Sequence, residues 1–121
     1  TYFPKILRRD TSFYLLGWTP GTYDSHNPLN ALMHTPNDKG QGQFNLGSYS
    51  NARVDELTNL IQSETDQTKR NAMIAEAFKI HQDDIGHIPL HQQALAWAMK
   101  KNVEVVQLPD NFMPFRYINV K

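Results

Sequence analysis

Apolar residues recur every three or four positions in the middle of the chain, a spacing that predicts two amphipathic helices. The first stripe comprises Val54, Leu57, Leu60 and Ile61, and the second comprises Ile74, Ala77, Phe78, His81 and Ile85. Ser50 or Asn51 can cap the first helix, Asp66 can cap the second, and Gly86 ends the second. The short turn between them predicts a helical hairpin whose two stripes share one core.

Shorter apolar runs on both sides of this hairpin predict extended segments. They are residues 2–7 and 12–16 before it, and residues 88–90, 92–99, 103–108 and 112–120 after it. A short helix is predicted to start at Asn27-Pro28, with Asn27 as its N-cap, and to end before Pro36. Residues 36–50 are mostly polar and predict a long loop. Helices together with several short strands predict an α/β fold.

The segment after the second extended run is the most informative part of the sequence for function. The apolar run of residues 13–16 ends at Gly17. Residues 18–26, called the tryptophan loop below, follow it and contain turn formers, aromatics and one acid. A strand that ends in such a loop is a common way to present side chains to a ligand. Trp18 can equally cover the edge of the core, and His26 can face a ligand or only solvent.

Composition and charge exclude several classes of function. Lysine plus arginine and aspartate plus glutamate number 12 each, so the net charge is zero, and no basic stripe suits a nucleic acid or an anionic membrane. No apolar run is long enough to span a membrane. The chain has no cysteine, which excludes disulfides, thiolate metal sites and a cysteine nucleophile. The start at Thr1, without a methionine or a signal-peptide pattern, leads us to expect a processed or truncated piece.

The sequence offers little for catalysis or for a cofactor. None of the five histidines has the spacing of a compact metal site, and His81, on the apolar helix face, is expected to be a hydrogen-bonded core residue. No serine has a nucleophile-elbow setting, and no glycine run forms a phosphate-binding loop. We therefore expect no enzyme activity and no cofactor. A small hydrolase that uses Asp24 with His26 or His91 is the weakest alternative.

Four segments together resemble one family of transport proteins. Residues 13–18 (FYLLGW), Tyr23-Asp24, residues 49–55 (YSNARVD) and residues 88–90 (IPL) occur in this order and at this spacing. The chain thereby resembles the C-terminal part of the peptide- and nickel-type solute-binding proteins of ABC importers, over nearly its whole length.

This resemblance implies a fold, a location and a partner. The fold would be the C-terminal lobe fragment of a two-lobed periplasmic-binding-protein (flytrap) α/β fold, with a mixed sheet and a helical hairpin. Residues 1–88 would belong to the C-terminal ligand-binding lobe, and residues 89–121 would cross the hinge and return toward the N-terminal lobe. The protein would be periplasmic or lipid-anchored on the outer cell surface. It would capture peptides or a related small solute for an ABC permease in the membrane, without spanning the membrane itself.

The resemblance also implies the site. In this family the loop after the tryptophan lines the ligand cleft, and peptide-binding members often carry an aspartate three positions after it. Here that position holds Gly21, and the nearest acid is Asp24. The predicted ligand-binding residues are Trp18, Thr19, Gly21, Tyr23, Asp24 and His26. The alternative function is a non-transport peptide-binding module, a chaperone or a signalling receptor, on the same fold.

Overall fold

The hairpin predicted from the apolar stripes is the main feature of the structure, a computed structural model that describes all residues, Thr1–Lys121. Its residues fall into two units, Thr1–Ile88 and Pro89–Lys121. The first unit contains helices α1 (Tyr2–Leu7), α2 (His26–Pro28), α3 (Ala52–Ser63) and α4 (Gln67–Asp83), with a π-helical turn, Leu29–Met33, directly after α2. No helix combines the length and the apolarity that crossing a membrane requires.

Both predicted caps of the hairpin are confirmed. The Asn51 side chain accepts hydrogen bonds from the backbone N–H groups of Arg53 and Val54, at 3.0 and 3.3 Å. Asp66 does the same for Thr68 and Lys69, at 2.9 and 3.1 Å. Each cap satisfies two N–H groups that have no partner within the helix, which fixes where α3 and α4 begin.

The core lies between the hairpin and the π-helical turn. Leu29, Leu57, Ile61 and Ala77 are fully buried, and five partly buried residues pack against them: Met33, Met73, Ile74, Phe78 and Ile80. The predicted stripes are therefore confirmed at their centres. They are wrong at Leu60, which is 46% exposed at the edge of α3, and at Ile85, which is 71% exposed beyond the end of α4.

Helix α4 ends at Asp83, three residues before the predicted stop at Gly86. The N–H of Ile85 donates to the carbonyl of Gln82, and the N–H of Gly86 donates to that of His81, the bonding pattern of a Schellman motif. Ile85 holds the left-handed position with φ of 54°. Position 86 requires glycine for a steric reason and not for its backbone conformation, because a Cβ there would lie 2.3 Å from the His81 ring.

The extended segments predicted near the N-terminus are wrong. Residues 2–7 form α1, which buries Ile6, and residues 12–16 form neither helix nor strand. An apolar run of five or six residues does not distinguish strand from helix by periodicity, and a strand needs a hydrogen-bonding neighbour.

The short helix after the tryptophan loop begins one residue before the predicted N-cap. His26 is its first residue, and Ser25 takes the N-cap position without a side-chain bond, so the prediction of Asn27 as N-cap is wrong. Asp24 Oδ1 instead accepts from the His26 N–H at 2.7 Å. The π-helical turn ends at Met33, before Pro36 as predicted.

The long loop predicted for residues 36–50 is confirmed, and one buried amide holds it in place. Asn45 is 2% exposed. Its Nδ2 donates to the carbonyls of His34 and Tyr49 at 3.0 and 2.7 Å, and its Oδ1 accepts from the Tyr49 N–H at 3.0 Å. These side-chain bonds add to the backbone bonds that the loop makes within its own turns and, from Gly42 and Phe44, to the carbonyls of Asn30 and Ala31.

The unit Pro89–Lys121 has little regular structure. Strands β1 (Val103–Glu104) and β2 (Asn119–Val120) pair antiparallel, and a 3₁₀ turn, Phe115–Tyr117, precedes β2. Residues 88–90 and 92–99 form no strand, so the prediction of short strands there is wrong. The predicted mixed sheet would need parallel pairing, which this two-stranded sheet does not contain. The lobe-fragment assignment stays a prediction.

Leu57→Ala should lower the free energy of unfolding by about 2–5 kcal/mol, because the side chain is fully buried in the hairpin core. The matched control is Leu60→Ala on the same helix, which should cost less than about 1 kcal/mol because Leu60 is half exposed. Urea unfolding followed by far-ultraviolet circular dichroism measures both. Equal losses would contradict the assigned core.

Candidate ligand-binding site

Trp18 lies at the surface, and its ring contacts two neighbouring side chains. Its indole N–H donates to Asn27 Oδ1 at 2.8 Å, and its ring centroid is 5.1 Å from that of Phe44 at an interplanar angle of 54°. The residue remains 36% exposed. It is thus fixed against the start of α2 and the polar loop, with apolar ring surface still open to solvent.

Asp24 is the best-connected residue of the tryptophan loop. Its two carboxylate oxygens accept from Arg70 Nη2 on α4 at 2.8 and 3.0 Å, and Oδ1 also accepts from the His26 N–H. The bond from Arg70, followed by that from the His26 backbone, holds the pKa of Asp24 below its ordinary value. The carboxylate is therefore ionised and already paired at neutral pH.

Arg70 joins the loop to both helices of the hairpin. It stands on α4, and its Nε donates to the carbonyl of Ile61 near the end of α3 at 3.2 Å. Its Nη1 makes no hydrogen bond within the chain and is not among the buried unpartnered atoms. One edge of the guanidinium is thus free for another acceptor.

The other predicted residues of the loop are exposed. Thr19, Gly21 and Tyr23 all lie at the surface, and Tyr23 adopts a left-handed backbone with φ of 54°. Its N–H donates to the carbonyl of Pro20 at 3.2 Å and closes a turn. A left-handed conformation is uncommon for a bulky residue, so the turn and the Asp24 anchor must hold it there.

An open depression of about 410 Å³ lies beside Asp24 and Arg70. Of the predicted site residues, Asp24 and His26 line it, whereas Trp18, Thr19, Gly21 and Tyr23 do not. The remaining lining residues were not predicted from the sequence: Thr22, Asn27, Asn30, Gln62 and Arg70. The three-residue spacing of Asn27 and Asn30, on one helical face, is the signal that could have found two of them.

His26 contributes a neutral ring to this depression. Burial, the largest cause, lowers the pKa of His26, although Asp24 nearby acts in the opposite direction. Its Nε2 is buried without a hydrogen-bond partner. The hydrolase alternative gains no support here, because Asp24 bonds to the backbone N–H of His26 and not to its imidazole.

A second group of titratable residues surrounds the end of α4. His81 Nε2 lies 2.8 Å from His87 Nδ1, and the Tyr49 ring meets the His81 ring edge-on at 4.4 Å. Burial first and His87 second lower the pKa of His81 to about 4, against an opposing effect of Asp84. His81 is thus a hydrogen-bonded core histidine, as predicted. Nowhere in the chain do three His, Asp or Glu side chains come together in a way that could hold a metal ion.

Comparison with known proteins gives one distant similarity. The chain is 29% identical over 108 residues to the oligopeptide-binding protein OppA of Bacillus subtilis strain 168. The match covers 89% of this chain but 19% of that protein, so the chain spans about a fifth of its relative's length. No protein-family model and no solved structure matches. The similarity gives distant support for a relationship to peptide-binding solute-binding proteins.

The pair formed by Asp24 and Arg70 should show a coupling energy of about 1 kcal/mol in a double-mutant cycle of Asp24→Asn and Arg70→Gln. We expect this because one Nη2 contacts both carboxylate oxygens and the Arg70 side chain is only 20% exposed. The control cycle uses Arg53 and Glu76, which are both more than 40% exposed and should couple less. A weaker coupling for Asp24 and Arg70 would show that the loop is not anchored this way.

Stability should fall as the pH is lowered from about 6.5 toward 4. Since the pKa of His81 is about 4 in the folded chain, the unfolded chain binds more protons in this window, and acidification favours unfolding. Urea midpoints at several pH values measure the slope, which His81→Gln should flatten. His91→Gln, at an exposed position, is the control and should leave the slope unchanged.

Proposed function

We propose that this chain forms part of the substrate-binding component of an ABC importer and captures peptides or a related small solute. The single observation that carries the proposal is the anchored tryptophan loop, which keeps ring surface of Trp18 exposed and contributes Asp24 and His26 to an open depression. A transport receptor needs aromatic surface for contact and a few fixed polar groups for orientation. The similarity to an oligopeptide-binding protein supports the same class of ligand.

The proposal includes the architecture and the location implied by the resemblance. Residues 1–88 would form part of the C-terminal lobe of a flytrap fold, and residues 89–121 would cross the hinge. A periplasmic or outer-surface location and a membrane permease as partner follow from this assignment. Because the relative is a binding protein, the proposal includes no catalysis.

Within this proposal, Asp24 has a positioning role. Its charge is already paired with Arg70, so it is not a free carboxylate for a ligand ammonium group. It fixes the path of the tryptophan loop and the start of α2 through the His26 N–H. Trp18 then supplies the ligand contact, and Thr19, Gly21 and Tyr23 supply exposed surface around it.

In the complete protein, Trp18→Ala should weaken peptide binding by about 10-fold, because truncating a contact aromatic commonly costs more than 1 kcal/mol. Isothermal titration calorimetry with a panel of di- to pentapeptides measures the affinity. Tyr117→Ala, which removes an exposed aromatic from the other unit, is the control and should bind normally. Unchanged affinity of Trp18→Ala would remove the tryptophan loop from the site.

Transport is tested separately from binding. Uptake of a labelled peptide by cells should require both this gene and its permease partner, and deletion of either should abolish uptake. If peptides bind but uptake is unaffected by both deletions, the alternative of a chaperone or signalling module on the same fold is favoured.

A further inference from the structure

The chain leaves α4 through a short turn with an unfavourable backbone conformation. Residues 85–88, called the exit segment below, follow the C-cap residue Asp84 and lead to Pro89, where the second unit begins. Ile85 has a φ of 54°, which is unfavourable for a β-branched residue, and its side chain is largely exposed and gains little from packing. Contacts elsewhere in the exit segment must therefore hold this conformation.

The exit segment makes one hydrogen bond through a side chain, between the rings of His87 and His81. His87 Nδ1 lies 2.8 Å from His81 Nε2, and the ring centroids are 5.0 Å apart at an interplanar angle of 28°. The other hydrogen bonds of the segment are those from the backbone N–H groups of Ile85 and Gly86 to α4. Gly86 also packs on the His81 ring so closely that no Cβ fits between them. The His81 ring is thus the surface that the exit segment packs against.

The hydrogen bond between the two imidazoles depends on their protonation. One nitrogen must donate and the other must accept, so a single proton lies between His81 Nε2 and His87 Nδ1. When His81 is the donor in the neutral pair, its buried Nδ1, which has no hydrogen-bond partner, carries no proton. A first added proton creates an N–H at this Nδ1 without an acceptor, which is costly in a buried place. A second added proton puts hydrogens on both facing nitrogens, and the bond between the rings is lost.

The other ionisable groups around the pair make no hydrogen bond to either ring. Tyr49 meets the His81 ring edge-on, and its hydroxyl donates to Asp84 Oδ2 at 2.7 Å. The same oxygen accepts from Asn51 Nδ2 at 2.8 Å. Asp55, on α3, acts electrostatically on the Tyr49 hydroxyl and not on His81. Asp84 is therefore the one acid whose charge favours a protonated His81, and it is already bonded to two other side chains.

We propose that His81 and His87 form a pH-sensitive latch, which holds the exit segment on α4 while both rings are neutral and releases it when they are protonated. Release would allow Ile85 to leave its left-handed conformation, while Asp84 would stay bonded to Tyr49. The chain that leads into the second unit would thereby be ordered at neutral pH and loosened in acid. The inference goes beyond the proposed function and does not depend on which ligand the protein binds.

Opening of the latch should become more favourable as the pH falls from about 6.5 toward 4. Burial first and His87 second lower the pKa of His81 to about 4 in the closed latch, whereas a released ring titrates near the ordinary value of about 6.5. The open form therefore binds more protons in this window, and for His81 alone the ratio of open to closed latch should rise by about 100-fold between pH 7 and pH 4. Burial also lowers the pKa of His87, which adds to the rise.

Hydrogen–deuterium exchange of the complete protein, followed by mass spectrometry at pH 7, 6, 5 and 4, measures the opening. Peptides that cover residues 85 and 86 report on the two N–H groups that bond to α4. After correction for the intrinsic exchange rate at each pH, their protection should fall by about 100-fold from pH 7 to pH 4. Peptides from α3 report on global unfolding. Dilute urea should reduce protection in α3 but hardly in the exit segment, because a local opening exposes little surface.

Variants assign the pH response to the two rings. His87→Asn keeps an amide near the position of Nδ1, and the amide oxygen can accept from a protonated His81, so the response should fall to about 10-fold. His81→Gln combined with His87→Asn removes both titrating rings and should leave a response of less than about 3-fold. His91→Gln, at an exposed position just beyond the exit segment, is the matched control and should keep the full response.

Ile85→Gly tests the strained turn independently of the rings. Glycine adopts a positive φ without steric cost, so the variant should raise protection of residues 85 and 86 about 3-fold at every pH. The fold-change between pH 7 and pH 4 should remain that of the unmodified protein, because both histidines are present. Lower protection in this variant would contradict a strained turn that the ring contact holds closed.

The latch is overturned if protection of residues 85 and 86 is the same at pH 7 and pH 4. It is also overturned if their protection falls only in step with α3 and with the same urea dependence, or if the double variant keeps the full response. Should circular dichroism show that the double variant is unfolded, His87→Asn decides: an undiminished response overturns the latch, and a reduced one supports it. None of these results involves peptide affinity, so the latch and the proposed function can fail separately.

Discussion

The ion pair between Asp24 and Arg70 is the constraint on which the candidate site depends. It joins residues that are 46 positions apart, and the same carboxylate also holds the His26 N–H at the start of α2. Arg70 in turn bonds to the carbonyl of Ile61, so the loop is tied to α4 and to the end of α3 at once. A turn that contains a left-handed Tyr23 needs such an external anchor, because its own backbone preferences oppose it.

The hairpin could be predicted from sequence because its determinants are local. The caps at Asn51 and Asp66 act within three residues, and the buried positions of α3 and α4 repeat with the helical period. The extended segments could not be predicted, because a strand depends on a partner that a short apolar run does not specify. Residues 2–7 pair their backbone groups by forming a helix, whereas residues 12–16 form neither a helix nor a strand.

The candidate site was predictable only where its determinants are local. Turn formers identify the tryptophan loop, so Asp24 and His26 are found, and both line the depression. Arg70 and Gln62 stand on the polar faces of the hairpin. A pattern of apolar residues does not distinguish polar side chains that line a depression from polar side chains that only contact solvent. Only the fold brings those faces beside the loop, and the pairing of Arg70 with Asp24 is long-range information that no local pattern contains.

Hydrogen bonds between side chains also fix the polar surface around Asn30. A free amide is both donor and acceptor, so a row of unconstrained Asn and Gln side chains has no preference between ligand groups. Gln41 Nε2 donates to the oxygens of Asn30 and Asn59, which fixes the orientation of both side chains. Each of these oxygens keeps a second lone pair, so both side chains remain donors and acceptors. Fixing them in the unbound state removes part of the entropy that a ligand would otherwise have to offset. The orientation of these amides is therefore set by bonds within the chain before any ligand binds.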